Sequence, residues 1–497
     1  MAYSSSPYGS SLSLLTDLYQ LTMACGYWKA GIAEREAVFD LTFRSHPFDG
    51  GFSIACGAAR VVEYLNALRF DEGDRSYLKG LKGSNDEPLF DDAFLNRLRD
   101  FELRCDVDGI PEGTAVFPHE PLLRVQGPLW QAQLLETALL NIVNFETLIA
   151  TKAARIALAA EGEPVLEFGL RRAQGVDGGL AASRAAYIGG CAGTSNVLAG
   201  KRFGIPVKGT HAHSWVMAFD SEMESFEAYA EAMPGNAVLL VDTYDTIQGI
   251  RRAIEVGERL RKRGHSLSGI RLDSGDLAAL SIDARRMLDE AGFSTTAIVG
   301  SGDLDEHAIT KLKSEGAKIG VWGVGTKLST GHDDSALGGV YKLSAIRDSA
   351  GAWQYKVKLS EQAAKMSNPG ILQVRRFRVD GRAVADVVFD VPSPPKGRWV
   401  LVEPFDSSRR TTVPRDADGE DLLAPFFRAG RAVFEPPSAT EARQRTLAQI
   451  AQLDRRFTRL TNPETYPAGL EQGLFETKLE IIARIKQGEL QQTHSPR

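Results

Sequence analysis

Between about residues 165 and 328, short apolar runs alternate with segments whose apolar residues recur every three or four positions. The short runs are typical of buried strands, and periodic segments such as 246–263 are typical of amphipathic helices long enough to connect parallel strands. The pattern therefore predicts a parallel sheet with crossover helices, as in a β/α barrel or a doubly wound sheet. The predicted strands are 165–169, 205–209, 237–241, 269–272, 296–300 and 318–323.

The polar residues of this region favour the barrel. Nearly every predicted strand is followed by groups that can bind a ligand or do chemistry, so these groups are not concentrated in one glycine-rich turn. In a barrel such groups converge at the C-terminal mouth. Because the clear runs are too few for a full barrel, we expect an irregular or incomplete one. The polar stretches are 171–172, 211–214, 242–245, 271–276, 301–303 and 323–326.

The rest of the chain predicts flanking parts on both sides of the barrel. A helical segment and β-like pieces precede it, and alternating runs around an Asn-Pro-Gly turn follow it, before two helical stretches. The predicted fold class is therefore α/β. Its expected parts are a flexible tail at 1–13, an N-terminal α/β lobe at 14–135, the barrel with the active site at 136–343, and a C-terminal β-rich and helical part at 344–497.

Composition narrows the function classes. The chain has 497 residues, 43% hydrophobic and 25% charged, which excludes intrinsic disorder and a fibrous architecture. Its formal charge is -6 and no basic stripe stands out, so nucleic-acid binding lacks its electrostatic footprint. No segment resembles a signal peptide or an apolar membrane span. We therefore expect a cytoplasmic protein that acts on small molecules, without a nucleic-acid or membrane partner.

Two glycine-containing loops late in the predicted barrel suit a phosphate group. Glycine lets backbone N–H groups approach an anion, the next helix N-terminus adds partial positive charge, and late βα loops of barrels often bind phosphate. Either loop alone is more often an ordinary tight turn, but two in succession at one mouth favour a phosphate site. The candidate residues are Ser301, Gly302, Asp303, Gly323, Gly325 and Thr326.

Arg271 and Asp273 lie two positions apart at the end of a predicted strand, so their side chains point to the same side. The pair could bind an anion and the hydroxyls of a sugar, or it could be an internal ion pair, and the sequence leaves both interpretations open. Asp242 and Asp245 could bind Mg²⁺ through water or cap the following helix, and capping is favoured for Asp245.

His211 and His213 alternate on a strand-like segment, so only one of them is expected to face the mouth. No further histidine or cysteine forms a ligand-like cluster with them, so zinc is not expected. A catalytic histidine and a buried structural one both fit this position.

Wide spacing argues against a disulfide framework for the four cysteines, Cys25, Cys56, Cys105 and Cys191.

Arg171 and Arg172 closely follow Phe168 at the end of the first predicted strand. An aromatic face beside a guanidinium suits a flat, anionic heteroaromatic, which needs stacking and a bidentate carboxylate contact. Phe168 taken alone would be assigned to the barrel core. The residues together indicate a site for a phosphorylated sugar next to a planar acid.

Several short motifs follow one another along most of the chain. They include Leu15-Thr-Asp-Leu-Tyr-Gln-Leu-Thr22, Glu167-Phe-Gly-Leu-Arg-Arg-Ala-Gln-Gly175, Thr194-Ser-Asn196, Ala212-His-Ser214, Arg271-Leu-Asp-Ser-Gly-Asp276, Ser301-Gly-Asp-Leu-Asp305 and Lys365-Met-Ser-Asn-Pro-Gly370. Each motif is weak alone, but the ordered set is specific, and it resembles that of nicotinate phosphoribosyltransferase. The resemblance implies a type II phosphoribosyltransferase fold, with an N-terminal α/β lobe and an irregular β/α barrel, in a homodimer whose active sites use residues of both subunits.

The same resemblance implies an activity and roles for residues. Members of the family join nicotinate to 5-phosphoribosyl 1-diphosphate, giving nicotinate mononucleotide and diphosphate for NAD biosynthesis, with coupled ATP hydrolysis and Mg²⁺. His213 matches the histidine that ATP phosphorylates, Asp273 the acceptor of ribose hydroxyls, and Arg271 an anion-binding residue. Nicotinate would contact Phe168, Arg171, Ser195 and the partner subunit's Tyr19. Phosphoribosyl diphosphate would contact Thr210, Ser214, Asp242 and the glycine-loop residues given above.

Other activities remain as alternatives. Nicotinamide phosphoribosyltransferase resembles this chain but carries an Asp at the position of Ser195; Asp would repel a carboxylate, whereas Ser can donate to it, so Ser195 favours the acid. Quinolinate phosphoribosyltransferase is disfavoured because its chains are shorter and lack the Leu-Thr-Asp start. A catalytically idle relative is disfavoured because His213 and Asp273 are both present. A Schiff-base aldolase is disfavoured because Lys208 and Lys318 fall inside predicted strands and Lys327 lies in the presumed phosphate loop.

Overall fold

The computed structural model describes residues 12–362, 365–404 and 406–493. The predicted tail at 1–13 therefore lies, apart from its last two residues, outside the described residues. The helices are α1 (Leu18–Lys29), α2 (Ala58–Ala67), α3 (Glu72–Gly80), α4 (Asp92–Arg99), α5 (Leu129–Leu134), α6 (Glu136–Ala159), α7 (Gly175–Ile188), α8 (Val197–Phe203), α9 (His213–Met217), α10 (Glu222–Ala232), α11 (Thr246–Lys262), α12 (Leu277–Glu290), α13 (Glu306–Ser314), α14 (Thr326–Ser329), α15 (Ala439–Gln452) and α16 (Gln472–Thr493), with a 3₁₀ turn at Leu170–Arg172.

The strands are β1 (Glu36–Phe43), β2 (Ser53–Ile54), β3 (Asp106–Gly109), β4 (Ala115–Val116), β5 (Leu123–Pro128), β6 (Val165–Glu167), β7 (Gly193–Thr194), β8 (Val238–Leu240), β9 (Gly269–Leu272), β10 (Ala297–Gly302), β11 (Val321–Val324), β12 (Gly339–Arg347), β13 (Trp353–Tyr355), β14 (Leu372–Val379), β15 (Arg382–Asp390), β16 (Val400–Glu403), β17 (Asp406–Thr412), β18 (Asp418–Asp421), β19 (Ala424–Arg428), β20 (Arg431–Ala432) and β21 (Ala468–Glu471).

The chain divides into two compact units, and the division differs from the predicted one. One unit comprises the residues up to Leu148 together with those from Ala336 onward, and the other is Ile149–Ser335. The predicted N-terminal lobe and C-terminal part thus belong to a single unit. The boundary with the second unit falls within α6, because this helix continues without a break past Leu148.

Strands from both ends of the chain build the first unit. One sheet has the order β13-β12-β1-β5-β3-β19-β20, and another has the order β17-β16-β21-β15-β14-β18. β1 pairs antiparallel with β12, so that Ala37 lies opposite Ile346. Such pairings between distant segments leave no local pattern in the sequence, which is why the predicted domain boundaries separated them. Alternating apolar residues of β1, such as Phe39 and Leu41, are buried in the core of this unit.

The second unit contains the predicted parallel sheet, in the order β7-β6-β11-β10-β9-β8. An isolated parallel bridge from Thr194 to Val207 extends it by one position beyond β7. This order is that of a β/α barrel, but among the described residues no strand pairing joins β8 to Val207, so the ring is open at this seam. The irregular barrel is therefore as expected, although the predicted strand at 205–209 is only a bridge and the short β7 was not predicted.

Side-chain caps and close packing fix the helices around this sheet. Asp245, Asp276 and Asp305 cap α11, α12 and α13, each accepting a hydrogen bond from a backbone N–H in the first turn. A Cβ at Gly249 would collide with the carbonyl of Val241, so glycine lets α11 pack closely on the end of β8. No helix in the described part of the chain has the length and apolar composition that crossing a bilayer requires.

Candidate active site

The parallel strands bring several predicted site residues to one edge of the second unit. Asp242 follows β8, Asp273 follows β9, Ser301 lies near the end of β10 and Gly323 lies in β11. Because the strands are parallel, their carboxyl ends share one side of the sheet. This edge is the mouth of the open barrel.

Arg271 organises the mouth through its guanidinium. Its Nε donates to Ser301 Oγ (2.7 Å), Nη1 to Thr210 Oγ1 (3.0 Å) and Nη2 to Asp273 Oδ1 (2.6 Å). Ser301 Oγ in turn donates to Asp273 Oδ1 (2.5 Å). The internal ion pair anticipated from the sequence therefore forms. It presents a cation and a carboxylate together at the partly exposed mouth, so a ligand can still contact both.

Asp273 is held in its ionised form next to His213. Burial raises the pKa of Asp273, but the hydrogen bond from Ser301 and the charge of Arg271 outweigh burial and keep the pKa below its ordinary value. His213 Nε2 lies 3.8 Å from Asp273 Oδ2, and its Nδ1 lies 3.1 Å from Thr243 Oγ1. The His213 side chain is 41% exposed, so a ligand at the mouth can reach the imidazole.

The two histidines differ as predicted in the direction they face, but for another reason. The segment is not a strand: His213 is the first residue of the short α9, and His211 lies in the loop before it. His211 is buried, and its Nε2 accepts a hydrogen bond from the backbone N–H of Leu240 (3.2 Å). The change from loop to helix, and not strand alternation, separates the two side chains.

Asp242 supplies a carboxylate beside this cluster. Its Oδ2 accepts from the backbone N–H of Asp273 (2.8 Å) and from Ser274 Oγ (2.7 Å). Its Oδ1 is buried and has no hydrogen-bond partner among the described residues. A hard cation prefers such carboxylate oxygens, so the donor set fits Mg²⁺. Asp245, in contrast, caps α11 through the N–H of Gln248 (2.8 Å), as the sequence favoured.

The buried carboxylate of Glu167 in β6 contacts the neighbouring strand β7 and the helix α7, and no role was predicted for it. Glu167 accepts hydrogen bonds from Ser183 Oγ (2.9 Å) and Thr194 Oγ1 (2.5 Å). The backbone N–H of Ser195 donates to the Glu167 carbonyl (2.9 Å), which places the Ser195 backbone beside the end of β6. The sequence feature that could have pointed to Glu167 is its position at the start of the Glu-Phe-Gly motif.

Phe168 follows Glu167 and is half-buried beneath the mouth. The Arg271 guanidinium lies 5.9 Å from the centre of its ring. A Cβ at Gly323 would come within 2.8 Å of the same ring, so glycine leaves the space that Phe168 fills. Phe168 thus faces the mouth more than the core. Arg171 lies close by in the chain, exposed on the 3₁₀ turn.

The two glycine loops are tied to each other by an ion pair that the sequence did not indicate. Lys327, after the second loop, donates to Asp305 Oδ2 (2.6 Å), after the first. Gly302 has φ +120°, a conformation that favours glycine, and lies against the carbonyl of Asp273. Ser301 and Gly323 are buried, Gly325 is half-buried, and the remaining loop residues Gly302, Asp303 and Thr326 are exposed.

Two further predicted residues, Ser214 and Tyr19, lie in α9 and α1. Ser214 is exposed in α9, next to His213. Tyr19 belongs to the first unit, where it is 47% exposed on α1. The prediction that it acts on the partner's site stays a prediction.

Three cationic side chains without a predicted role, Arg44, Lys342 and Lys365, line a pocket in the first unit. Burial and the charge of Lys478 lower the pKa of His119 to about 4. Burial raises the pKa of Asp40 to about 7. The surplus of basic groups in this pocket suits a phosphate-bearing anion. The sequence feature that could have pointed to the pocket is the Lys365-Met-Ser motif. Polar residues lining the pocket are Asp40, Thr42, Arg44, His119, Lys342, Lys365, Ser367 and Asn368.

Comparison with known proteins gives one consistent result. The chain matches the nicotinate phosphoribosyltransferase (NAPRTase) N-terminal domain over residues 14–144, the NAPRTase family over 164–359 and the C-terminal domain over 373–478. The Bacillus subtilis (strain 168) protein named nicotinate phosphoribosyltransferase is 42% identical over 483 residues, covering 96% of each chain. The Homo sapiens protein of the same name is 35% identical over 520 residues, covering 93% of this chain and 95% of the relative.

Solved structures agree with the sequence relatives. The crystal structure of human nicotinic acid phosphoribosyltransferase matches with a TM-score of 0.79 at 33% identity, covering 92% of this chain and 98% of that one. A nicotinate-nucleotide pyrophosphorylase from Pyrococcus furiosus matches with a TM-score of 0.68 at 23% identity, covering 90% and 98%, which shows a shared fold. The expected type II phosphoribosyltransferase fold is confirmed.

Proposed function

Because the chain belongs to the nicotinate phosphoribosyltransferase family, we propose that it joins nicotinate to 5-phosphoribosyl 1-diphosphate, with coupled ATP hydrolysis. The products are nicotinate mononucleotide, diphosphate, ADP and phosphate, and the mononucleotide feeds NAD biosynthesis. The observation that carries the proposal is the mouth cluster, in which Arg271, Asp273 and His213 are within reach of one ligand.

The phosphoribosyl group binds along the mouth in this proposal. Asp273 accepts hydrogen bonds from the ribose hydroxyls, and Arg271 attracts a negatively charged group of the same substrate. The two glycine loops, held together by Lys327 and Asp305, receive the 5′-phosphate through backbone N–H groups. Thr210 and Ser214 lie beside the cluster and add hydroxyl contacts.

Mg²⁺ accompanies the diphosphate. Asp242, through its unpartnered Oδ1, and Asp273 would hold it directly or through water. When bound, the cation neutralises negative charge that develops on the departing diphosphate.

Nicotinate lies between aromatic faces in this proposal. Phe168 supplies one face and the partner subunit's Tyr19 the other, while Arg171 and Ser195 hold the carboxylate. The pyridine nitrogen has no proton to lose, so it needs no general base. The contacts need only place this nitrogen about 3–3.5 Å from the anomeric carbon.

His213 accepts the γ-phosphoryl group of ATP. Its Nε2 attacks the γ-phosphorus, the bond to the bridging oxygen breaks, and ADP leaves; water later hydrolyses the phosphohistidine to return the free imidazole and phosphate. An Nδ1–H that donates to Thr243 Oγ1 leaves the lone pair on Nε2, on the side of Asp273. A phosphoryl group there would change the charge around the diphosphate.

We also place the enzyme in the cytoplasm as a homodimer with shared sites. Several large apolar side chains of the second unit are exposed, and contact with another subunit would bury them. They include Leu170, Val176, Val197, Met217 and Tyr244.

Product analysis tests the proposed function. The protein is incubated with phosphoribosyl diphosphate and either nicotinate, nicotinamide or quinolinate, with and without ATP. We expect nicotinate mononucleotide from nicotinate, at a rate that ATP increases, and no product from the other two acceptors. A nicotinamide mononucleotide product would instead support the nicotinamide enzyme, and no turnover of any acceptor would support an idle binding protein.

A further inference from the structure

The seam of the barrel leaves one backbone group of β8 in need of a partner. The N–H of Val241 donates to the carbonyl of Arg271 in β9 (3.2 Å). Successive N–H groups of a strand point to opposite sides, so the N–H of Leu240 points away from β9, toward the seam. Leu240 is buried, and a buried N–H without an acceptor is destabilising.

His211 provides this acceptor with its side chain. Its Nε2 lies 3.2 Å from the Leu240 nitrogen, and its Nδ1 lies 3.3 Å from the carbonyl of Ala212. The ring packs edge-on against Tyr229, with the ring centres 4.7 Å apart, and lies near Phe226. The imidazole thus takes the place of a neighbouring strand at the seam.

The segment that carries His211 is also fixed on both sides of it. Thr210 Oγ1 accepts from Arg271 (3.0 Å), and His213 Nδ1 lies 3.1 Å from Thr243 Oγ1, three residues beyond Leu240 in the chain. The segment therefore crosses the seam with one contact to β9, one to the end of β8 and one to the loop that follows β8. The contact of His211 is the central one.

We propose that His211 is a positioning residue, whose Nε2 closes the barrel seam against Leu240 and thereby holds His213 beside Asp273. The proposal rests on the proposed role of His213 as phosphate acceptor.

The protonation state of His211 agrees with this role. Burial lowers the pKa of His211, and the charges of Arg271 and His213 lower it further, against the opposing effect of the Ala212 carbonyl. The neutral ring with its proton on Nδ1 donates to Ala212 and accepts from Leu240. A protonated ring would have no lone pair for Leu240.

Two substitutions separate the acceptor from the packing of the ring. His211→Phe keeps an aromatic ring but removes the acceptor, while His211→Gln can place its Oε1 near the position of Nε2 and restore the acceptor. The readouts are hydrogen exchange of the peptide that contains Leu240, and kcat and KM of ATP-dependent synthesis. His307→Gln, at an exposed position on α13, is the control.

We expect faster exchange of the Leu240 peptide in His211→Phe and a loss of ATP-dependent kcat of about ten- to a hundredfold, because a small misplacement of a reacting group costs about that much. KM for nicotinate should stay within about twofold, since its binding residues are unchanged. His211→Gln should restore the protection of Leu240 and most of the rate, and the control should match the wild type.

Wild-type kcat in His211→Phe would overturn the proposal, and so would a His211→Gln variant that exchanges and reacts as poorly as His211→Phe. If His211→Phe fails to fold, protection of Leu240 and retained kcat in His211→Gln decide the question in the same way. If the wild type makes no nicotinate mononucleotide, the proposed function fails instead, and exchange of the Leu240 peptide still tests whether His211 closes the seam.

Discussion

The guanidinium of Arg271 is held in place at the mouth, because it donates hydrogen bonds to side chains from three separate segments. Ser301, Thr210 and Asp273 each take one nitrogen, so the guanidinium is held in a fixed orientation without a ligand. A fixed cation needs little reorganisation when an anion arrives. The same pairing keeps Asp273 ionised and able to accept hydrogen bonds from sugar hydroxyls.

Replacement of Arg171 should weaken nicotinate binding selectively. A hydrogen bond between charged groups contributes about 1.5–3 kcal/mol, so Arg171→Ala should raise KM for nicotinate about tenfold or more. KM for phosphoribosyl diphosphate should change much less. Steady-state kinetics with each substrate varied in turn measure both values.

Arg172→Ala is the matched control for this substitution, because Arg172 has the same charge and lies on the same 3₁₀ turn. Its kinetics should stay near those of the wild type. Unchanged nicotinate kinetics in Arg171→Ala, or an equal effect of both substitutions, would remove Arg171 from the nicotinate site.

The end of β11 determines how Phe168 lies under the mouth. A methyl group at Gly323 would come within 2.8 Å of the Phe168 ring, and overpacking of this kind costs about 1–3 kcal/mol. Gly323→Ala should therefore displace the ring and raise KM for nicotinate about tenfold. Titration of nicotinate in the kinetic assay measures this.

Gly320→Ala tests whether the effect is specific. Gly320 lies just before β11, and a Cβ there would meet no atom within 4 Å. This variant should keep the wild-type KM. A Gly323→Ala variant with wild-type nicotinate kinetics would show that Phe168 does not contribute a stacking face.

Local sequence patterns predicted where the strands lie better than how the strands pair. β8, β9 and β10 follow from apolar runs, and the predicted cap of α11 at Asp245 follows from residue type. β7 has two residues, too few for any periodicity to register. The Val207 segment has strand-like composition but only a single bridge, because its other side faces the seam.

Only the part of the mouth cluster formed by residues close together in the chain could be predicted from the sequence. Arg271 and Asp273 are neighbours on one strand, so their pairing follows from side-chain alternation. The contacts of Glu167 and Lys327 join segments far apart in the chain, which only the tertiary structure brings together.

At the level of the full chain, sheets built from both termini determine the units. β1 pairs with β12, and β3 pairs with β19, so the first unit is complete only when the C-terminal part has been made. This explains why boundaries drawn from composition divided one unit into two. The second unit, in contrast, is continuous in sequence, from Ile149 to Ser335.

Mixing of subunits tests whether the proposed homodimer shares its sites. Tyr19→Ala and His213→Asn should each be inactive in ATP-coupled turnover. In a mixed dimer, the barrel of the Tyr19→Ala chain keeps His213 and receives Tyr19 from its partner, so random mixing should restore about a quarter of the sites. The activity of the mixture against that of each variant alone is the measurement.

Each variant incubated with the wild type controls for subunit exchange, and native mass spectrometry confirms that mixed dimers have formed. Mixed dimers without any regained activity would show that Tyr19 does not act across the interface.

Phosphorylation of His213 tests the account most directly. After incubation with [γ-³²P]ATP and Mg²⁺, the protein should carry a label that is labile in acid and stable in base, as expected for phosphorus bound to nitrogen, and peptide mapping should place it on His213. His213→Asn should lose both the label and the stimulation by ATP, while His307→Asn should keep both. A label that persists in His213→Asn, or that maps to another residue, would contradict the account.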